Sequence, residues 1–127
     1  MIDIYTGIDI VENSRIKKVY EKFGDRFLKK VYFSSEIQYC KEKVNKYECL
    51  AGRFAAKEAV IKVIHSAFGI NLSFREIEVL GRKNKPAEIL LHLKPENRFI
   101  LSKPFKIRLS LSHEKNYSVA VAIILLY

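Results

Sequence analysis

The segment from Leu50 to Ile64 constrains the fold of this chain more than any other stretch. It is rich in alanine, contains no proline and is typical of a helix. At about 100° per residue, its apolar side chains surround almost the whole helix axis, so the helix is predicted to be buried on most sides. The charged side chains that interrupt this surface form two i, i+4 pairs, which are Arg53 with Lys57 and Glu58 with Lys62.

Glu58 is the charge in this helix that most needs an explanation. A carboxylate on a mostly apolar helix is costly unless a cation compensates it. Lys62, one turn further on, could form an intrahelical ion pair with Glu58 that contributes about 0.2–0.5 kcal/mol. A metal ion is the alternative partner, and the helix by itself does not choose between the two.

Length and composition set the class of protein. The chain has 127 residues, of which 49% are hydrophobic, so we expect one domain over residues 1–127 with a real core. No apolar run approaches the roughly 18 residues of a transmembrane helix, and the start lacks the basic region of a signal peptide. Because Cys40 and Cys49 lack metal-ligand spacing, we expect free thiols in a reducing cytoplasm rather than a disulfide.

The charge of the chain indicates the kind of partner it has. With 23 basic against 14 acidic residues, the net charge is +9. An excess of this size is typical of proteins that bind nucleic acid, an anionic membrane, an acidic protein or a phosphate-rich ligand. Charge alone does not choose among these partners.

The order of the predicted elements defines the fold class. Apolar and other residues alternate over residues 2–11, which predicts a strand, and Asp9 lies between isoleucines in it. Helices follow. The first is predicted to be followed by an apolar and basic connection over residues 27–33, and the long one is predicted to end at Gly69. The remaining predicted strands cover about residues 77–79, 88–93, 105–112 and 117–126, with a turn at 82–86 and a short helix at 95–101. This order predicts an α+β fold in which an antiparallel sheet packs on a long central helix.

The first predicted helix has an apolar face and a basic face. The apolar face, predicted to lie on the core, consists of Ile16, Val19, Tyr20 and Phe23. The opposite side carries a basic stripe, which consists of Arg15, Lys18, Lys22 and Arg26. A charged face is ordinarily only solvated. A stripe of a single sign is less ordinary, so we interpret it as the candidate surface for docking a partner.

Three polar features stand where apolar residues would be expected. They are Asp9 in the first strand, Glu58 in the buried helix, and residues 110–113 at the end of the polar strand. Two carboxylates without a fixed spacing can share a hard divalent cation, and Mg²⁺ favours one or two carboxylates together with substrate phosphates. The sequence contains no phosphate-binding glycine loop, paired zinc-ligand histidines or nucleophile elbow.

These residues belong to motifs that span the chain. The motifs are residues 7–12 (GIDIVE) with Arg15 and Ile16, residues 33–36 (FSSE), residues 51–59 (AGRFAAKEA) with Lys62, and residues 110–114 (SLSHE) before Tyr117. In content and order they resemble holo-[acyl-carrier-protein] synthase, the short bacterial branch of the 4′-phosphopantetheinyl transferases. The resemblance implies the fold of that family and a homotrimer with active sites at subunit interfaces.

The resemblance also implies a reaction and its residues. The phosphopantetheine arm of coenzyme A moves to a serine of apo acyl carrier protein in fatty acid biosynthesis, releasing adenosine 3′,5′-bisphosphate. Mg²⁺ is held by Asp9 and Glu58, and the acidic carrier protein docks on the basic stripe. The implied catalytic residues are Asp9, Glu58, Lys62 and His113, and the implied coenzyme-binding residues are Arg53, Lys62, Ser112 and His113.

Two roles stay open within this resemblance. Glu58, acting through a metal-bound or bridging water, is the preferred general base, while His113 is expected to orient the coenzyme. Arg53 and Lys57 could contact phosphate from a neighbouring subunit or pair with acids such as Glu48.

Two other classes of protein compete with this interpretation. A small nucleic-acid-binding domain explains the net charge, but strand 105–112 offers no aromatic platform on its polar face. A non-catalytic module that binds carrier protein would keep the basic stripe but would not need Asp9 and Glu58 together.

Overall fold

A sheet layer and a helix layer make up this α+β fold. The computed structural model describes residues 2–82 and 85–127. Its helices are α1 (Asn13–Phe23), α2 (Asp25–Val31), α3 (Ser34–Lys41) and α4 (Lys46–Phe68), with 3₁₀ helices at Phe74–Glu76 and Pro95–Ser102. Its strands are β1 (Asp3–Glu12), β2 (Ile77–Arg82), β3 (Lys85–Leu91), β4 (Phe105–His113) and β5 (Tyr117–Leu126). The prediction of an antiparallel sheet on a long central helix is confirmed.

The strands form two antiparallel sheets. β5 lies in the centre of a three-stranded sheet with the order β1-β5-β4, and β2 pairs with β3 in a separate two-stranded sheet. The predicted turn at 82–86 contains residues 83 and 84, which lie outside the described residues. Because β1 and β4 are the two outer strands of the larger sheet, polar residues on them are separated by the width of β5.

Helix α4 packs closely against the larger sheet. Its small residues Ala51, Ala55 and Ala59 are fully buried, which lets the helix backbone approach the strands. Gly7 of β1 is required at the closest point, because a Cβ atom there would lie 2.4 Å from the carbonyl oxygen of Ala59. At the far end Gly69 adopts φ 72° and terminates the helix as predicted. This close approach sets the distance between the polar residues of β1 and α4.

The first predicted helix ends earlier than expected, at Gly24. The segment after it folds as helix α2 rather than as a connection, because Gly24 at φ 57° separates two helices. Arg26 therefore lies on α2, so the prediction that the whole basic stripe shares the first helix is wrong. Phe23 was predicted to face the core and is 47% exposed instead, because the chain changes direction at the next residue.

The prediction of free thiols is also wrong. Cys40 at the end of α3 and Cys49 in the first turn of α4 form a disulfide, with their Cα atoms 5.4 Å apart. The loop between the helices folds back on itself, and this brings two residues nine positions apart into bonding distance. None of the helices in the described part of the chain has the length and hydrophobicity needed to span a bilayer.

The outer face of the larger sheet is apolar and uncovered along β1 and β5, whereas β4 contributes polar side chains to it. Ile4, Ile8 and Ile10 of β1 are each more than 60% exposed. On β5 their partners across the strands are Leu125, Val121 and Val119. We call these six residues the apolar sheet face. Monomeric proteins rarely expose a contiguous apolar patch of this kind without an interaction partner.

Candidate active site

Asp9 and Glu58 meet where β1 crosses α4. Side chains alternate along a strand, so Asp9 faces the helix while Ile8 and Ile10 face outward. Lys62, one turn beyond Glu58, donates hydrogen bonds to Oδ1 of Asp9 at 3.1 Å and to the carbonyl oxygen of Ile8 at 2.9 Å. The helix and the strand therefore bring the two carboxylates and one ammonium group into a single cluster.

The positive charge of Lys62 only partly compensates the two carboxylates of this cluster. Burial raises the pKa of Glu58, and the nearby negative charge of Asp9 raises it further. The ammonium group of Lys62 opposes these two effects but does not cancel them. A cation bound between the carboxylates would compensate both charges.

The donor set suits a hard divalent cation that shares its ligands with a substrate. The two carboxylates border an open pocket of about 260 Å³, which Arg15 and Phe54 also line. Within residues 2–82 and 85–127 there is no cluster of three or more histidine, cysteine, aspartate or glutamate side chains arranged to hold a metal. Asp9 and Glu58 thus supply two carboxylate ligands at most, which is the pattern that Mg²⁺ adopts when phosphate oxygens and water complete its coordination.

Arg53 borders a second pocket, of about 410 Å³, on the other side of α4. Its guanidinium group lies over the ring of Tyr39, 4.2 Å from the centroid, and only 6% of the residue is exposed. Among the described residues, its Nε is the buried side-chain polar atom that has no hydrogen-bond partner. Gly81 leaves room for the group, since a Cβ there would lie 2.2 Å from an Arg53 terminal nitrogen. An unsatisfied guanidinium group beside a pocket is suited to bind an anion.

His113 lies beside Arg53 rather than beside Asp9. It ends β4, lines the second pocket, and its Nδ1 is hydrogen-bonded to the carboxylate of Glu48. In the sheet register, Ser118 of β5 stands between His113 and Val11 of β1. One chain therefore does not bring all four predicted catalytic residues together. Asp9, Glu58 and Lys62 form one group, and His113 belongs to the other pocket.

Ser112 and Lys57 have different surroundings from the pocket residues. Ser112 precedes His113 and so points to the opposite, outer face of β4, where it is exposed and pairs with Val119. Lys57 is completely buried, with its ammonium group 2.7 Å from the carboxylate of Glu36. It also donates to the carbonyl oxygen of Val31 at 2.6 Å. Lys57 is thus a structural residue that is not available to a ligand, and its partner is not Glu48.

The basic stripe borders an exposed hydrophobic residue, Phe23, which its helical spacing assigned to the core. All four members of the stripe are exposed, and Phe23 lies beside two of them, Lys22 and Arg26, at the junction of α1 and α2. A pocket of about 310 Å³ there is lined by Val19, Phe23, Arg26, Phe27 and Lys30. The helical spacing of Phe23 indicated burial, so no sequence signal identified it. Lys30 was missed because residues 27–33 were interpreted as a connection.

Comparison with known proteins assigns the chain to a family. The sequence model of the 4′-phosphopantetheinyl transferase superfamily matches residues 5–122. The chain belongs to this superfamily, which confirms the resemblance noted from its motifs. It is 43% identical to a holo-[acyl-carrier-protein] synthase of Aquifex aeolicus over 118 residues, which cover 93% of this chain and 95% of that protein.

Further relatives agree with this assignment. A holo-[acyl-carrier-protein] synthase of a Hydrogenobaculum species is 46% identical over 118 residues, covering 93% of both proteins. Among solved structures, the complex of the Chronobacterium ammoniagenes synthase with coenzyme A superimposes with a TM-score of 0.81, at 28% identity and 98% coverage of both chains.

Proposed function

We propose that this chain transfers the 4′-phosphopantetheine group from coenzyme A to a serine of apo acyl carrier protein, with Mg²⁺ as cofactor and in the service of fatty acid biosynthesis. The observation that carries the proposal is the pairing of Asp9 with Glu58 in one pocket beside Lys62, in a chain of this superfamily. A location in the cytoplasm remains a prediction.

The residues of the first pocket fit the chemistry of phosphoryl transfer. The serine oxygen forms a bond to the phosphorus on the pantetheine side of the pyrophosphate, the P–O bond to the leaving phosphate breaks, and adenosine 3′,5′-bisphosphate departs. Mg²⁺ held by Asp9 and Glu58 would neutralise charge on the pyrophosphate. The ammonium group of Lys62, which is half exposed, can turn from Asp9 to a pyrophosphate oxygen.

Glu58 is the residue best suited to accept the serine proton, through a bridging water. In the metal-free site, burial and the neighbouring Asp9 raise the pKa of this carboxylate, whereas a bound Mg²⁺ would lower it. The position of Glu58 in the first pocket, rather than its pKa, therefore supports this role.

The second pocket is proposed to hold another part of the coenzyme. Arg53 would bind a phosphate group and His113 would orient the nucleotide, whereas Ser112 points to the outer face of β4 and is not placed in this pocket. Because the two pockets lie on different sides of α4, we propose that the first pocket of one subunit faces the second pocket of its neighbour in a homotrimer. The apolar sheet face supports this proposal, since a subunit contact would cover it.

The assembly can be tested with one charge in the apolar sheet face. We expect Ile4→Asp to weaken trimer formation at least tenfold and to lower transfer activity, because a carboxylate would be buried in an apolar contact. Leu101→Asp is the matched control, since Leu101 is 59% exposed against 62% for Ile4 and lies on the 3₁₀ helix outside the sheet. Sedimentation equilibrium at micromolar concentration measures the effect, and a fully active wild-type monomer would contradict the proposal.

The acidic carrier protein is proposed to dock on the basic stripe, with Phe23 beside Lys22 and Arg26 at one end. We expect the double variant Lys22→Glu with Arg26→Glu to raise the KM for carrier protein at least about tenfold, equivalent to about 1.4 kcal/mol if KM tracks binding. Exposed charges act together in steering encounter, so added salt should weaken the wild type more than the variant. The KM for coenzyme A should change much less.

The control for docking reverses the same number of charges elsewhere. Lys94 and Lys103 are exposed and lie outside the basic stripe. The control is the double variant that carries Lys94→Glu and Lys103→Glu together. Steady-state kinetics at two ionic strengths compare it with the docking variant. An unchanged KM in the docking variant would mean that the stripe is only solvated.

One experiment tests the proposed function as a whole. Apo carrier protein is incubated with the enzyme, coenzyme A and Mg²⁺, and its mass is measured. A mass gain of one phosphopantetheine is expected. No gain, together with retention of random nucleic acid on a filter, would favour the nucleic-acid-binding alternative instead.

A further inference from the structure

The hydrogen bond between Glu48 and His113 joins two distant elements of the fold. Glu48 occupies the first turn of α4, and its Oε1 is hydrogen-bonded to Nδ1 of His113 at the end of β4. Its other oxygen accepts a hydrogen bond from Nδ2 of Asn45 at 3.0 Å. Asn45 in turn caps α4 by accepting a hydrogen bond from the Glu48 backbone N–H at 3.1 Å. Both oxygens of the carboxylate are therefore held in place.

The position of Glu48 suits a carboxylate that accepts hydrogen bonds. The N-terminus of a helix carries partial positive charge from the aligned peptide dipoles, and this stabilises a carboxylate in the first turn. A charged acceptor makes a stronger hydrogen bond than a neutral one. Glu48 thus has the properties of a group that fixes the orientation of its partner.

The imidazole ring of His113 is held at a second point. Gly52 lies one turn after Glu48 on the same face of α4, and a Cβ at Gly52 would stand 3.9 Å from Cδ2 of His113. The ring therefore lies on the helix surface, with Nδ1 occupied by Glu48. Nε2 is the ring nitrogen that remains for a ligand in the pocket shared with Arg53 and Ser110.

We infer that Glu48 is a positioning residue that acts through His113. By accepting the Nδ1–H it selects the imidazole tautomer and presents Nε2 to the coenzyme. This inference rests on the proposed function, in which His113 contacts coenzyme A. Glu48, in the first turn of α4, would thus contribute to coenzyme recognition through His113, without contacting the coenzyme itself.

A carboxylate–histidine pair on a protein surface can also be purely structural. This chain contains such a pair for comparison, in which Nε2 of His92 lies 2.8 Å from Oε1 of Glu78. The side chains of His92 and Glu78 are 46% and 14% exposed, against 46% and 18% for His113 and Glu48. Glu78→Ala is therefore a matched control that removes an equivalent hydrogen bond outside the two pockets.

The experiment measures the KM for coenzyme A in a double-mutant cycle. We expect Glu48→Ala to raise this KM about tenfold with a smaller change in kcat, and Glu78→Ala to leave it within about twofold. Glu48→Gln, whose amide oxygen can still accept the Nδ1–H, should stay within about threefold. In a His113→Ala background, Glu48→Ala should have no further effect, because residues that act through one another are not additive. An equal KM increase in both backgrounds would overturn the inference.

Nitrogen-15 NMR of the imidazole gives a readout that does not depend on activity. At a pH where the ring is neutral, we expect the Nδ1–H tautomer in the wild type and in Glu48→Gln, and a rise of the Nε2–H tautomer in Glu48→Ala. An unchanged tautomer in Glu48→Ala would overturn the positioning role. If the wild type transfers no phosphopantetheine, the proposed function fails, whereas the NMR result still decides whether Glu48 sets the state of His113.

Discussion

We expect Asp9→Asn and Glu58→Gln each to lower kcat for phosphopantetheine transfer at least about a thousandfold, which corresponds to about 4 kcal/mol of transition-state stabilisation. Each substitution removes one of the two carboxylates that border the first pocket, and no third acid in the described part of the chain joins the cluster to replace it. The measurement is the rate of mass gain of carrier protein at saturating substrates. Asp3→Asn is the control, because Asp3 is an exposed acid on the same strand.

Thermal unfolding separates loss of metal from loss of fold. Glu58→Gln removes a half-buried charge that lies beside Asp9, so the Tm of the metal-free protein should rise or stay unchanged. With coenzyme A present, Mg²⁺ should raise the Tm of the wild type but not of either variant, since a ligand stabilises only the state that binds it. Normal turnover in a variant, or activity after exhaustive chelation, would contradict the metal assignment.

We expect Lys57→Met to lower the free energy of unfolding by about 3–5 kcal/mol, which is typical when one partner of a buried ion pair is removed. The substitution leaves the carboxylate of Glu36 without its cation in a site where both side chains are 0% exposed. It also removes the donor to the carbonyl oxygens of Val31 and Phe74. Urea denaturation of the purified protein measures the change.

Two further variants define the cause of this loss. Lys57→Met combined with Glu36→Gln should recover part of the stability, because the remaining side chain is then uncharged. The recovery should be incomplete, since the single amide oxygen of glutamine can accept from only one of the N–H groups of Phe33 and Val79, which now bond to separate carboxylate oxygens. Lys46→Met, which removes an exposed charge from the same helix, should change stability by no more than about 0.5 kcal/mol. If Lys57→Met lowers the free energy of unfolding by less than about 1 kcal/mol, the ion pair between Lys57 and Glu36 contributes little to stability.

Helix α4, which contains Lys57, shows which structural features could be predicted from the sequence pattern and which could not. Composition and Gly69 were sufficient to predict the long helix and its end, because helix formation depends on neighbours within about four residues. The same reasoning identified Asp9 and Glu58 as polar residues in apolar elements. It could not tell the buried Lys57 from the half-exposed Lys62, since both lie one turn from another charge on a largely apolar helix.

The larger part of the fold was thus determined by the sequence itself through local periodicity, and the family motifs marked the candidate site. The tertiary structure decided the pairing of side chains. Lys57 lies 21 residues from Glu36, Lys62 lies 53 from Asp9, and His113 lies 65 from Glu48. The disulfide, the exposure of Phe23 and the separation of His113 from Asp9 likewise depend on where the chain turns. Contacts between distant segments form only after the elements pack, so no short-range pattern specifies them.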